Sequence, residues 1–147
     1  MKYIILLRGI NIGGKNKISM NELKQELENL GYFNVITHLN SGNIIITTTN
    51  KEEEIISTVR EMIKNKFSLD IPVIVIKSQD LEELVANKPS WWNTKNKEIY
   101  DNIIFILKPH TFKEISEALG KLNNENEQRR NLQLNKRKRL LAWNNWA

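Results

Sequence analysis

Two short segments hold most of the residues that could do chemistry. The first is Arg8-Gly9-Ile10-Asn11-Ile12-Gly13-Gly14-Lys15-Asn16-Lys17, with three glycines, two asparagines and three cations. The second is Asn40-Ser41-Gly42-Asn43. Glycines let successive backbone N–H groups turn toward one point, where they can hold an anion. Arg8, Lys15 or Lys17 can supply charge, and Asn11, Asn16, Asn40 and Asn43 can hydrogen-bond a ligand edge. The same residues have a plainer use. Gly13-Gly14 suits a tight turn, and Ser41-Gly42 is ordinary hairpin chemistry. The loop also lacks the full phosphate-loop pattern.

Other candidates carry less. His38 and His110 are the only histidines, and neither has a neighbour at metal-ligand spacing, so no metal site is expected. Ser19 and Ser41 have no companion base in view, which leaves serine catalysis without support. Glu52-Glu53-Glu54 opens a helix, where carboxylates favour the dipole. Trp91-Trp92 fits cover for a core or an interface better than ligand stacking. With no cysteine in the chain, disulfides, thiolate zinc sites and cysteine nucleophiles drop out together, which fits a reducing cytosol. No cofactor is expected.

The elements that must position the two segments follow from periodicity. Lys2–Arg8 reads as a strand. Ser19 with Glu22 forms a capping box for a helix whose buried stripe is Met20, Leu23, Leu27 and Leu30, ended by Gly31. Strands over 34–39 and 44–48 flank the Asn40–Asn43 turn. Asn50 with Glu53 starts a second helix that buries Ile55, Ile56, Val59, Met62 and Ile63. Pro72–Lys77 is a fourth strand. The order β-α-β-β-α-β with right-handed crossovers is the ferredoxin-like plan, with strand order 4-1-3-2 and both helices on one face. That topology brings the loop after strand one and the turn between strands two and three to the same end of the sheet.

The second half is thinner. A helix over 78–86, a polar loop over 87–101, a strand over 102–107 and a helix opened by Thr111 and Glu114 (carrying Ile115, Ala118, Leu119 and Leu122) are expected. From 123 onward no element is assigned. Leu140, Leu141, Trp143 and Trp146 could line one face of a short helix, though the spacing is ambiguous. The domain reading is 1–77 for the ferredoxin-like part, 78–124 for a smaller α/β part and 125–147 for a basic, tryptophan-containing tail.

The +5 net charge belongs to that tail. Residues 128–147 hold six cations and no acid, and without them 16 basic residues stand against 17 acidic ones. A localised basic run can bind phosphates, but it also fits a solvated terminus. The first apolar run is too short for a signal-peptide core or a membrane span, so export and membrane insertion are not expected. Strands one, three and four are apolar at consecutive positions, so both sheet faces should be covered. Ile4, Leu6, Ile44, Ile46, Val73 and Val75, or the residues one further on, should be buried away from the two helices. Cover would come from the C-terminal segment or from a second copy in a homodimer.

Leu6-Leu7-Arg8-Gly9-Ile10-Asn11-Ile12-Gly13-Gly14-Lys15-Asn16, then Met20 and Leu23, then Leu39-Asn40-Ser41-Gly42-Asn43-Ile44, resembles the bacterial family known as domain of unknown function 1697. The likeness is specific over about the first fifty residues and runs loosely to about residue 120. It implies an α+β fold that starts ferredoxin-like and continues into a smaller α/β half. Its motif positions here are Arg8, Gly9, Asn11, Gly13, Gly14, Lys15, Ser41, Gly42 and Asn43. After about residue 123 the chain departs from the family's longer ending and stops early.

Three functions stay open. The first is a binding module for a small anionic or phosphate-bearing ligand at the 8–17 loop and the 40–43 turn. The second is an enzyme on nucleotides or phosphate esters that uses the same pocket, with no identified base. The third is a homo-oligomeric interaction protein that uses the second sheet face. RNA recognition of the kind that stacks bases on strand aromatics is not expected, because strand three carries none.

Overall fold

The fold is described from a computed structural model, which describes residues 1–88, 90, 92, 100–106, 109–118, 131–135 and 138–143. The chain divides into two compact units, residues 1–87 and 88–147.

In the first unit the order is β1 (Lys2–Leu7), α1 (Met20–Asn29), β2 (Phe33–His38), β3 (Asn43–Thr47), α2 (Glu52–Phe67), β4 (Val73–Lys77) and α3 (Ser78–Ala86). The sheet runs β2-β3-β1-β4, and every neighbouring pair is antiparallel. It is thus a mixed α+β unit with β1 at the centre.

One register explains the core. Ile5 stands opposite Ile44 on one side and Val75 on the other. Tyr3, Ile5, Leu7, Ile44, Ile46, Val73 and Val75 therefore share a face, and they cluster with Leu23 and Leu27 of α1 and Ile55, Val59, Met62 and Ile63 of α2. This corrects part of the expectation. Ile44, Ile46, Val73 and Val75 belong with the helices, because the antiparallel pairing sets them in phase with Ile5 rather than Ile4. Ile4, Leu6, Ile45, Ile74 and Ile76 fall on the other face. Cover there is uneven. Ile76 is buried, Ile4, Leu6, Ile45 and Ile74 are half-buried, and Ile36 and Phe33 at the β2 side are exposed. α3 runs beside β1 and β4, away from β2.

Helix ends explain where the elements stop. Ser19 Oγ accepts from the Glu22 backbone N–H at 3.4 Å, and Gly31 follows α1 at φ +84°. Leu30, expected in the buried stripe, is partly exposed because it sits at the C-cap. α2 begins one residue later than expected. Its N-cap is Lys51, whose N–H donates to the Glu54 carboxylate at 3.1 Å. Asn50 instead closes a local loop with Thr48, whose hydroxyl takes the Asn50 N–H at 3.2 Å.

In the second unit β5 (Tyr100–Phe105), β6 (Asn131–Asn135) and β7 (Lys138–Trp143) form a sheet in the order β5-β7-β6. β5 and β7 are parallel, and β6 and β7 are antiparallel. α4 (Phe112–Ala118) opens on a reciprocal box: Thr111 N–H to the Glu114 carboxylate at 2.7 Å, Glu114 N–H to Thr111 Oγ1 at 3.3 Å. β6 and β7 lie in the stretch for which the sequence suggested no element beyond a short helix. Leu140, Leu141 and Trp143 are on a strand, while Leu119, Leu122 and Trp146 lie outside the described residues. No helix among the described residues is long and apolar enough to cross a membrane.

Candidate functional site

The two glycine- and amide-rich segments meet. β1 ends where β3 begins, and the Leu7 N–H donates to the Gly42 carbonyl at 2.9 Å. One residue on, the Arg8 N–H donates to the Pro72 carbonyl at 3.2 Å, so the loop leaves the sheet stitched to both neighbouring strands. Residues 39–42 form the β2–β3 turn at this same end.

The loop itself is a miniature hairpin. The Asn11 N–H donates to the Asn16 carbonyl at 3.1 Å, and the Lys15 N–H to the Ile12 carbonyl at 3.0 Å. Gly13 and Gly14 are its two central residues, at φ +56° and +77°. Two consecutive positive φ values define the mirror-image turn that suits the strand twist, and only residues without a bulky Cβ take it cheaply. The turn thus accounts for both glycines, and Ile12 projects from it with 68% of its surface exposed.

Asn11 clasps three segments. Its Nδ2 donates to the Ile18 carbonyl and to the Asn40 carbonyl, each at 3.0 Å, and its Oδ1 accepts from the Ile18 N–H at 2.9 Å. Both amide hydrogens are spent inside the protein. Asn16 Nδ2 holds the Gly9 carbonyl at 2.9 Å, and Asn43 Nδ2 holds Ser41 Oγ at 2.8 Å. Gly42 is buried at φ +79°, and an added Cβ would stand 2.7 Å from Leu7 Cβ and 2.9 Å from Ile10 Cδ1. Several residues read from the sequence as ligand contacts are therefore what fixes the shape of this sheet end.

What the arrangement leaves open is a cleft of about 600 Å³ beside the start of α1. Asn11, Gly14, Lys17, Ile18, Ser19, Met20, Asn21 and Asn40 line it, and none of them is acidic. Of the sequence candidates, Asn11, Gly14 and Asn40 reach this cleft, together with Lys17. Arg8, Gly9, Gly13, Lys15, Ser41, Gly42 and Asn43 share the sheet end without lining it. Among the described residues, the side chains of Arg8, Lys15 and Lys17 are exposed and form no ion pair. The nearest acid in the first turn of α1, Glu22, is directed to Lys66 at 3.7 Å. Met20 and Asn21 are contributions the sequence reading missed. The capping box at Ser19 was the available signal, since it fixes where a helix opens its free N–H groups.

The remaining sequence candidates stand apart. His38 is exposed on β2 opposite Asn43, and His110 Nδ1 lies 3.9 Å from Glu114. Among the described residues no group of histidines and carboxylates could hold a metal ion. Trp92 is half-buried, and Trp91 lies outside the described residues.

Fold and site together define a small α+β protein with an antiparallel four-stranded unit and a glycine- and asparagine-built sheet end. The chain belongs to the family described as protein of unknown function DUF1697, whose model matches residues 1–136. The match runs past residue 123, where the sequence reading placed the departure from the family pattern. A solved structure described as a conserved bacterial protein from Streptococcus pneumoniae is similar. It shares 27% identity and a TM-score of 0.69, over 84% of this chain and 68% of that one. No curated protein matches the chain.

Proposed function

We propose that this protein is a binding module for a small anionic, phosphate-bearing ligand, held in the cleft at the start of α1. The observation that carries the reading is charge. A cleft free of carboxylates lies at the open end of a ten-residue helix, and Lys17 lines it. Helix N-termini favour anions through their free N–H groups and dipole. Lys15 and Arg8, without acidic partners among the described residues, add positive potential at the same sheet end. Asn40 and Asn21 offer amides to a ligand edge. Asn11 and Gly14 form part of the wall, and Gly9, Gly13, Ser41, Gly42 and Asn43 fix the shape of the sheet end behind it. The reading takes the first unit as ferredoxin-like, acting in a bacterial cytosol.

The test is calorimetric titration with inorganic phosphate, a nucleoside monophosphate and a sugar phosphate, on the parent protein and on Lys17→Ala. At least one anion should bind the parent, weakening about tenfold in the variant, as expected for loss of one charge-assisted contact. If no phosphate compound binds at millimolar concentration, the reading is wrong.

A further inference from the structure

We infer that two copies of this chain associate through the outer edge of β2, as an antiparallel β2–β2 ladder about a two-fold axis. This goes beyond the ligand reading and uses a different surface. Among the described residues β2 is an end strand of its sheet, with no ladder partner on the outer side of its backbone. Edge strands invite pairing, and proteins ordinarily guard them with charges, proline or bulges.

This edge is thinly guarded. From Asn29 through Asn50 the chain carries no Asp, Glu, Lys, Arg or Pro, although 27% of all residues are charged. The one device present is an irregularity between Phe33 and Ile36, where Asn34 takes φ +53°. Beyond it Ile36, Thr37 and His38 pair regularly with β3, which leaves a straight stretch for a second strand. Large apolar side chains sit along it in water: Phe33 is 68% exposed, Ile36 56% and Leu39 69%. Leu39 also holds φ +56°, a conformation that costs a leucine energy and that glycine or asparagine would take more cheaply.

A second copy is the occupant that this surface fits. About a two-fold axis residue i of one copy meets residue j of the other, and j meets i. With the axis at Ile36 the apolar positions on either side of it meet one another, and a charge at Ile36 would meet its like. A strip without charges is self-complementary in this sense. It offers a partner of different sequence no charge by which to set register. The backbone ladder supplies direction, and Phe33, Ile36 and Leu39 supply the apolar area. So small an interface falls at the weak end of specific association, so it should depend on concentration.

Sedimentation equilibrium on the full chain tests this, using the parent, Ile36→Lys, Ile36→Glu and an equimolar mixture of the two variants. The parent's mass should rise from monomer toward dimer between about 1 and 300 µM. Each variant should stay monomeric at every concentration, and the mixture should regain the dimer. Circular dichroism confirms that the variants are folded. Should either unfold, Phe33→Lys, at a more exposed position, sets a cation against the apolar strip of the second copy and should likewise stay monomeric. A parent that stays monomeric throughout overturns the inference. So do variants that dimerise as the parent does, because the association would then use another surface.

Discussion

At the scale of single residues, the sheet end is built by side chains and glycines whose replacements have calculable effects. Gly42 combines positive φ with no room for a Cβ, so Gly42→Ala meets both strain and overpacking. A loss of about 2–4 kcal/mol is expected from urea unfolding, since each contribution runs to roughly 1–3. Asn11→Asp keeps an acceptor for the Ile18 N–H but removes both donations from Nδ2. It should cost about 2 kcal/mol at neutral pH, near 1 for each lost bond. Leu39→Asn should do the opposite. The side chain is mostly in water, and asparagine tolerates its backbone conformation, so a gain of about 1 kcal/mol is expected in dilute, monomeric protein. These roles show what a sequence can reveal at this scale. Asn11 and Gly42 stand out by type and by the turn they imply. Whether an amide faces a ligand or clasps its own backbone depends on the neighbours at residues 18 and 40. One of those is nearly thirty residues away, and nothing in residue 11 names it.

At the scale of elements, legibility follows how local the signal is. α1 was readable because Leu23 and Leu27 keep helical spacing between a serine cap and a glycine end. The start of α2 was misread by one residue because Asn50 and Lys51 both precede acidic residues at box spacing, and the asparagine is committed to Thr48. β7 was not readable. One partner, β5, lies more than thirty residues upstream in parallel register. The other, β6, is close in sequence, but Lys136-Arg137 between them carries no turn signal, and a short apolar run fits helix and strand alike. Caps that were readable can be tested. Ser19→Ala should cost about 1 kcal/mol, fray α1 by hydrogen exchange and open the cleft beside it. At Thr111 the readout is pH. The backbone and hydroxyl of Thr111, the first causes of the shift, hold the Glu114 carboxyl below its usual value. A lowered folded-state value means the stabilisation is present above the unfolded value and is lost as pH falls through the folded one. Backbone NMR shifts of α4 should therefore move toward coil on acidification below about pH 4.5, and Thr111→Ala should move that change to higher pH.

At the scale of the whole molecule, the question is which part of the chain carries its own core. Every member of the main hydrophobic cluster, from Tyr3 to Val75, lies within residues 1–87, as do Met20, Ile56, Phe67 and Leu69 packed against it. Among the described residues, the four strands of its sheet all come from the same span. A fragment of residues 1–88 should therefore fold alone, with one cooperative thermal transition and slow hydrogen exchange in β1 and β3, the two inner strands. About ninety residues is above the size at which a single core usually needs disulfides or a metal to be stable. Its weakness should lie on the second sheet face, where Ile4, Leu6, Ile74 and Ile76 have only α3 as cover from within the unit. The fragment should bind hydrophobic dye, and replacing Leu6 and Ile74 with threonine should reduce that binding while retaining the transition. A fragment with no cooperative transition would show that the helix-side core is insufficient. The stability of the first unit would then have to be sought in residues beyond 88.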